Sequence, residues 1–419
     1  MSRISKALAA FVFLIFCYAP VHATTYTAAS CSASDVQAAI GKAADGDTVL
    51  VPNSSCTWSS GVSISKGVTV NGQGATISFG SSGGLSMSSD SAASAGVTGF
   101  NFHNAFNNGN YPFSINISPS AKAPHVYNNT FTDNGGSPST FIGVQGLGPA
   151  LIDHNTFTVS AGADEIIHLL GQGPGGGNWS DSLTPGSSAM VVIENNVFTE
   201  NNSTYAGQAE EAYYGAEFTF RYNKVVFAGN DAHGGDGGRW AEIYQNTYTV
   251  KNNTQIRGGS GLYYNNHSSG SGQFGMTWGP DPGSSDIYSG SRPVAKQVGR
   301  GINGTTFSPG YAWGNDSSIQ SNLGPEDGQS LVLVGSSITG CGGYGCDVIA
   351  TTAMPTLQRC QSSSDVSAGC PVAFTYTPLV YPHPLDTCPT SVIGTSTQCG
   401  TASAPAVMAP TNVTITSIQ

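Results

Sequence analysis

The chain has 419 residues, with 55 glycines, 39% hydrophobic residues and only 9% charged residues. Its length exceeds what one hydrophobic core needs, and its composition excludes helical bundles, coiled coils and charge-rich disorder, which leaves a chain that turns often and pairs strands. A net charge of −11 with no basic stretch excludes a general nucleic-acid binder, since phosphate neutralisation requires clustered cations.

Residues 1–23 read as a secretory signal: Arg3 and Lys6 form a basic start, Ala7 to Ala19 an apolar run, and Val21-His22-Ala23 a cleavage site, so the mature chain is expected to begin at Thr24. Bulky Phe16 beside Cys17 disfavours a lipoprotein signal. The apolar run is too short to span a bilayer, and no membrane anchor is expected after cleavage. Loss of Arg3 and Lys6 leaves 12 cations against 25 acids, a charge of −13.

Cleavage also reduces nine cysteines to eight, and an even number in an exported chain suggests disulfides. Cys31 and Cys56 stand apart and are expected to pair. Cys341, Cys346, Cys360, Cys370, Cys388 and Cys399 crowd the C-terminal part, where neighbour pairing is one of 15 connectivities. Zinc is the rival reading, against which the Cys-x4-Cys spacing counts.

The first element is an amphipathic helix from Ser34 to about Ala44, capped by Ser34, with Asp35 at its positive end and Val36, Ala39, Ile40 and Ala43 on one face. Gly46-Asp47 turns the chain into a short strand, Thr48 to Pro52. Short strands and Gly/Ser/Asn turns then continue to about residue 270. Within them six segments align without gaps: Val126 to Phe131, Ile152 to Phe157, Ile193 to Phe198, Phe220 to Val225, Ile243 to Tyr248 and Tyr263 to Ser268. Each has Asn fourth: Asn129, Asn155, Asn196, Asn223, Asn246 and Asn266, at spacings of 26, 41, 27, 23 and 20, the longest holding the insertion Gly171 to Trp179.

Apolar residues stand three before every Asn and two after all but the last, the pattern of inward-facing positions in a solenoid. The Asn is expected at the tight turn, in the left-handed conformation, with its amide bonded to the Asn of the next coil. These coils are too short for a helix in each repeat and lack the leucines of a leucine-rich repeat, so a parallel β-helix fits. The rhythm stops after 270. Residues 271–400, rich in Pro, Gly and Cys, are expected to form a flank or cap packed on the β-helix. Residues 401–419 read as a linker-like tail that ends in an alternating strand, Pro410 to Ser417.

The segments Asp35 to Ile40, Gly46 to Pro52 and Gly67 to Gly72, the Asn ladder, and Tyr381-Pro-His-Pro-Leu385 near the end resemble secreted right-handed parallel β-helix proteins of the pectate-lyase-like superfamily, over residues 30 to about 270. The resemblance implies an all-β right-handed parallel β-helix whose opening helix caps the exposed end of the coil stack.

Coil arithmetic predicts neighbours about 4.8 Å apart. Two positions before each Asn stand Tyr127, Asp153, Glu194, Arg221, Tyr244 and Tyr264. Asp153, Glu194 and Arg221 are therefore expected as an outward column, either a solvated set of salt bridges of little energetic weight or a cation or sugar site. A second, denser set lies upstream: Asp164, Glu165 and His168; Glu210, Glu211, Tyr213 and Tyr214; Asp231, His233, Asp236 and Arg239; and Arg257. Its glycines permit close approach by a ligand or simply serve turns.

Enzymes of the resembled superfamily mostly act on acidic polysaccharides. The resemblance implies Arg257 as a carboxylate clamp, His233 as base and Tyr214 as acid, with Glu211, Asp231 and Asp236 holding Ca²⁺, and Arg239, Trp240, Tyr213 and His168 binding substrate. Ala232-His233-Gly234 and Arg221 to Lys224 depart from the superfamily's hydrolase elements. The expected function is a secreted, monomeric, polysaccharide-active protein, lyase-like, cleaving uronate chains by β-elimination. The alternative is a non-catalytic carbohydrate-binding or cell-surface module, whose Tyr213, Tyr214, Trp240, Tyr244 and Trp278 would stack on neutral sugars. The negative charge favours this alternative, because it repels a polyanion at long range.

Overall fold

A computed structural model describes residues 23–80, 82–88, 93–103, 115–118, 122–133, 140–160, 165–171, 183–200, 207–226, 228–232 and 237–249. It further describes 252–256, 258–269, 274–278, 299, 309–320, 323–325, 333–334, 348–359 and 372–386. Residues 1–22 of the expected signal segment, the expected tail at 401–419 and the six C-terminal cysteines lie outside these residues.

The described strands form three long parallel sheets, and successive coils contribute one strand to each. Sheet I holds the strand before each ladder Asn, sheet II the strand after it, and sheet III the strand that leads to the next coil. The coil beginning at His125 shows the plan: His125–Tyr127 in sheet I, Thr130–Thr132 in sheet II, Ile142–Val144 in sheet III, then Ala150–Asp153 back in sheet I. This is a parallel β-helix.

Inward residues of equal rank stack in register. Val126, Ile152, Ile193, Phe220, Ile243 and Tyr263 form one buried column of sheet I. In sheet II, Phe102, Phe131, Phe157 and Phe198 stack with ring centroids 5.2, 4.7 and 4.9 Å apart. Offset stacking adds to the area that each ring removes from water.

The Asn ladder runs beside these columns. Nδ2 of Asn129, Asn155, Asn196, Asn223 and Asn246 donates to Oδ1 of the Asn in the next coil at 3.0–3.2 Å. The same Oδ1 accepts the backbone N–H of the Asn one coil earlier, and each Nδ2 also donates to a carbonyl in the preceding coil, as Asn196 does to Ile152 at 2.9 Å. The ladder continues to Asn315, which bonds to Asn266 at 3.0 Å. The ladder Asn is not the left-handed residue that the sequence suggested. The residue before it is: Asn128, His154, Asn195, Tyr222, Gln245 and Asn265 have φ between 52° and 58°. Gly314 holds that place in the Asn315 coil, with φ 62°, where a Cβ would come within 2.2 Å of Asn265 Oδ1. The turn thus leaves the Asn side chain pointing into the stack, where it satisfies backbone groups that the corner would otherwise bury unpaired.

The opening helix spans Ala33–Lys42, and its N-cap is Ser32, two residues earlier than the expected Ser34, because Ser32 Oγ accepts the Asp35 N–H at 3.3 Å. Val36, Ala39 and Ile40 are buried against the first coils. Gln37 imitates a strand edge: its amide accepts the Ser63 N–H at 2.7 Å and donates to the Ser63 carbonyl at 3.1 Å. Lys66 Nζ donates to the carbonyls of Ile40, Gly41 and Ala43 at the negative end of the helix. Cys31 and Cys56 form the expected disulfide, tying the helix entry to the first coil.

Residue 270 does not end the stack. Phe274–Trp278 and Leu323–Pro325 extend sheet III, and Gly310–Trp313 and Val348–Thr351 extend sheet I. The long interval between Asn266 and Asn315 hides these coils from a search for even spacing. Among the described residues no helix is long and apolar enough to cross a membrane.

Asn196→Ala deletes both amide donors and the acceptor of one rung, and should lower stability by roughly 3 kcal/mol. Guanidinium unfolding of variant and parent measures this, and a loss below about 0.5 kcal/mol would show that the ladder adds little to packing.

Candidate functional site

Sheet III assembles the denser of the two expected clusters. Glu165–Leu169, Gln208–Ala212 and Gly229–Ala232 are adjacent strands, and register places His168, Glu211 and Asp231 in one outward column. His168 Nδ1 lies 2.7 Å from Glu165 Oε2, and Tyr213 donates its hydroxyl to Glu165 Oε1 at 3.0 Å. The His168 and Tyr213 rings stand 4.6 Å apart. Asp231 accepts from Gln208 Nε2 at 3.4 Å.

The two glutamates are driven in opposite directions. Burial raises Glu211 far above the ordinary carboxylate range, and the adjacent Glu165 and Asp231 charges push it further. Burial also acts to raise Glu165, but the hydrogen bonds from His168 and Glu211 outweigh it and hold Glu165 low. Glu211 therefore keeps a proton beside an ionised Glu165. Such separation of two neighbouring carboxyls is the usual arrangement for acid and base roles. Burial, then the carboxylates, also raises the Tyr213 phenol.

Glu210, next in sequence to Glu211, faces the other way, because strand side chains alternate. It points into the coil interior, where Asn230 Nδ2 donates to it at 3.3 Å and Tyr248 donates to Asn230 Oδ1 at 2.8 Å. Complete burial keeps Glu210 protonated. It is a neutral core acid rather than a surface group.

His168, Tyr213, Glu211 and Asp231 thus come together, joined by Glu165. Tyr214 occupies the following turn at φ 52°, its ring 6.0 Å from that of Tyr213. His233, Asp236 and Arg257 lie outside the described residues. Arg239 and Trp240 do not join the cluster, because both belong to sheet I. Arg239 is 3% exposed and donates to Glu217 Oε1 at 2.9 Å. Trp240 is fully buried, with Nε1 donating to Glu242 Oε1 at 2.9 Å and Phe374 against its ring. Tyr244 is likewise buried, stacked on Tyr264 at 4.6 Å. Neither Trp240 nor Tyr244 is open to a sugar. Among the described residues Glu211 and Asp231 belong to no set of three ligand atoms within 4.8 Å of one another; Asp153, His154 and Asp386 do.

The outward column of sheet I stacks as expected, with Asp153, Glu194 and Arg221 in register, yet it is not solvated. All three side chains are fully buried beneath residues 374–386, which cross the coils lengthwise as a strap. Tyr376 donates to Glu242 Oε2 at 2.9 Å. Arg221 donates to the Leu379 carbonyl at 2.5 Å and the Val380 carbonyl at 2.9 Å, and Tyr381 stacks on Tyr222 at 3.7 Å. Tyr381 also donates to Asn195 Oδ1 at 2.7 Å, and the His383 N–H to Glu194 Oε1 at 2.8 Å. Asp386 reaches His154. Residue by residue the strap returns from later coils to earlier ones.

Arg221 is the centre of this contact: Nε donates to Glu194 Oε2 at 2.7 Å and Nη1 to the Tyr244 hydroxyl at 2.9 Å. Gly186, from the end of the long insertion, donates its N–H to Glu242 Oε1 and lies so close to the strap that a Cβ would meet the Thr377 carbonyl at 1.9 Å. Burial, then the Arg221 charge, lowers His383 to about 4, leaving a neutral ring whose Nδ1 accepts the Leu385 N–H at 3.1 Å. Sequence reasoning missed Tyr376, His383 and Asp386 as partners of the column. The available signal was an aromatic and histidine-bearing segment late in a chain whose few charges line up on one sheet. Compared with known proteins, the chain matches no family model, no curated protein and no solved structure.

Arg221→Met leaves Glu194 buried without its cation and should cost about 4 kcal/mol, with protease cleavage appearing first within residues 374–386. A variant that retains the parental cleavage pattern would sever Arg221 from strap docking. His383 has an ordinary value of 6.5 and a folded value of about 4. The unfolded chain therefore takes up the extra proton first, and this group's contribution is lost as pH falls from 6.5 toward 4. His383→Asn should flatten the fall in unfolding midpoint over that window by about 2 kcal/mol, read from unfolding curves of both proteins at several pH values.

Proposed function

We propose that the protein is an exported, polysaccharide-active β-helix protein that cleaves uronate-containing chains by β-elimination at the outer face of sheet III. The observation that carries this reading is the Glu165 and Glu211 pair, one ionised and one protonated, joined to His168 and Tyr213. Export is supported by the signal-like first residues and by a disulfide, which persists in oxidising compartments. Elimination requires neutralisation of the sugar carboxylate, removal of the proton beside it and protonation of the leaving oxygen. Protonated Glu211 carries no charge to repel a sugar carboxylate, where an ionised one would repel it. Glu165 fixes the His168 ring through Nδ1, which leaves Nε2 as the base. Tyr213 carries the proton for the leaving oxygen.

Ca²⁺ is the alternative means of neutralising the substrate carboxylate. The described carboxylates do not converge as its ligands by themselves, so no step is assigned to it. A second reading, a non-catalytic carbohydrate-binding module, is favoured by burial: His168, Glu211 and Asp231 are each 1% exposed, as befits groups that staple coils together.

Purified mature protein incubated with a panel of uronate polysaccharides, with and without chelator, distinguishes the readings through absorbance of the unsaturated product. Product is expected, and Glu211→Gln and His168→Ala should each slow it by about 100-fold or more. Retention on polysaccharide gels with no product from any substrate would support the binding module instead.

A further inference from the structure

We propose that Asp153, His154 and Asp386 form a binding site for a divalent ion of the zinc class, which fastens the end of the strap to the β-helix. The site is independent of the sheet III cluster, and its role is structural.

Local backbone geometry creates the first half of the site. Consecutive side chains of a straight strand point to opposite faces, so an outward Asp153 would ordinarily send residue 154 inward. The left-handed residue breaks that alternation: at φ 53° His154 bends the chain and presents its ring beside Asp153. The same bend acts in neighbouring coils, where Glu194 and Asn195, then Arg221 and Tyr222, face the strap as pairs. Among the described residues, only the Asp153 coil puts two metal-binding side chains there. The strap then supplies the third, Asp386, from the far end of the sequence.

The distances suit a small cation. His154 Nδ1 lies 3.3 Å from Asp153 Oδ2 and 4.0 Å from Asp386 Oδ2, and the three ligand atoms lie within 4.8 Å of one another. Ligands at about 2.0–2.2 Å from a tetrahedral zinc stand roughly 3.3–3.6 Å apart, so small side-chain rotations close the set. One nitrogen and two carboxylate oxygens are donors that a borderline ion accepts, whereas Ca²⁺ prefers six to eight oxygens.

Asp153 provides the second, independent indication. It is fully buried, and although Oδ1 meets His125 Nε2 at 2.7 Å, Oδ2 has only the His154 ring beside it, at 3.3 Å and outside the geometry of a hydrogen bond. A buried carboxylate oxygen without a donor is costly, and a cation between it and Asp386 removes that cost. His125, stacked on Tyr127 at 4.0 Å, holds the carboxylate by its other oxygen, as groups behind a metal ligand commonly do. The three ligand side chains are at most 3% exposed, so a structural role rests on their burial under the strap, and the fourth position of a tetrahedral ion would be filled by the second oxygen of a carboxylate or by a water.

The test uses the full mature chain with any affinity tag removed, stripped with chelator and dialysed. Calorimetric titration with Zn²⁺ should give one equivalent per chain, and Co²⁺ in its place should develop the visible absorption of a low-symmetry four-coordinate site. Zn²⁺ should also slow protease cleavage within residues 374–386. Asp386→Asn should weaken Zn²⁺ binding at least about 100-fold and abolish that protection. His154→Asn is the second variant, because Asn occupies the equivalent left-handed position in the coils of Asn128, Asn195 and Asn265 and so preserves the turn. It too should lose binding while keeping the parental circular dichroism. The proposal fails if the parent binds no Zn²⁺, or if both variants bind it as tightly as the parent. An ion pair of His154 with the two aspartates would then account for the cluster.

Discussion

Everything in this molecule depends on how a parallel coil closes its corner between sheets I and II. The corner requires one residue in the left-handed conformation, a cost of about 1 kcal/mol for a residue other than glycine. It also leaves backbone groups that neither sheet can pair. The Asn after the bend resolves both problems, because its short amide donates and accepts along the coil axis from a buried position. Seven asparagines from Asn129 to Asn315 repeat the solution, and the bonds pass from each to the next. Aromatic stacks in sheet II then fill the space beside the ladder.

The bend has a further effect on chemistry. It directs two successive side chains outward in each coil, and the second, sheet-facing layer of the protein is built on those pairs. Tyr222 meets the Tyr381 ring. Around Asp153, Glu194 and Arg221 the pairs concentrate charge in a chain that has little of it. Burial of that charge is tolerable only because the strap brings backbone carbonyls and N–H groups to it. The strap is held by both kinds of contact: Phe374, Tyr376 and Tyr381 pack on aromatic rings of sheet I, and polar contacts fix its path. Column and strap therefore depend on each other.

Sheet III distributes its ionisable groups differently. Alternation sends Glu210 into the core and Glu211 to the outer face, so two adjacent glutamates have unrelated partners and roles. Burial is the first cause that raises both; the Asp231 charge adds to it at Glu210, and the Glu165 and Asp231 carboxylates add to it at Glu211. The outer group is the one that meets His168, Glu165 and Asp231 on the face of the sheet.

The β-helix, the capping helix, the Cys31 and Cys56 pair and the stacking of position-equivalent side chains were all legible in the sequence. They follow from local periodicity, and a repeat states its own register once the coil is recognised. The helix cap was misjudged by two positions, Ser34 for Ser32, and the bend before each Asn by one, because several small polar residues in a row offer the same capping or turning chemistry. The clustering of Glu165, His168, Glu211, Tyr213 and Asp231 was legible for the same reason as the fold. What periodicity could not convey was burial. Arg221, Glu194 and Trp240 appeared outward by rank and are outward in direction, yet they lie under a segment more than a hundred residues away in sequence. Rank within a coil determines which way a side chain points. Whether water or protein lies there depends on non-repeating chain that packs by shape and hydrogen bonding, and only the tertiary structure decided that.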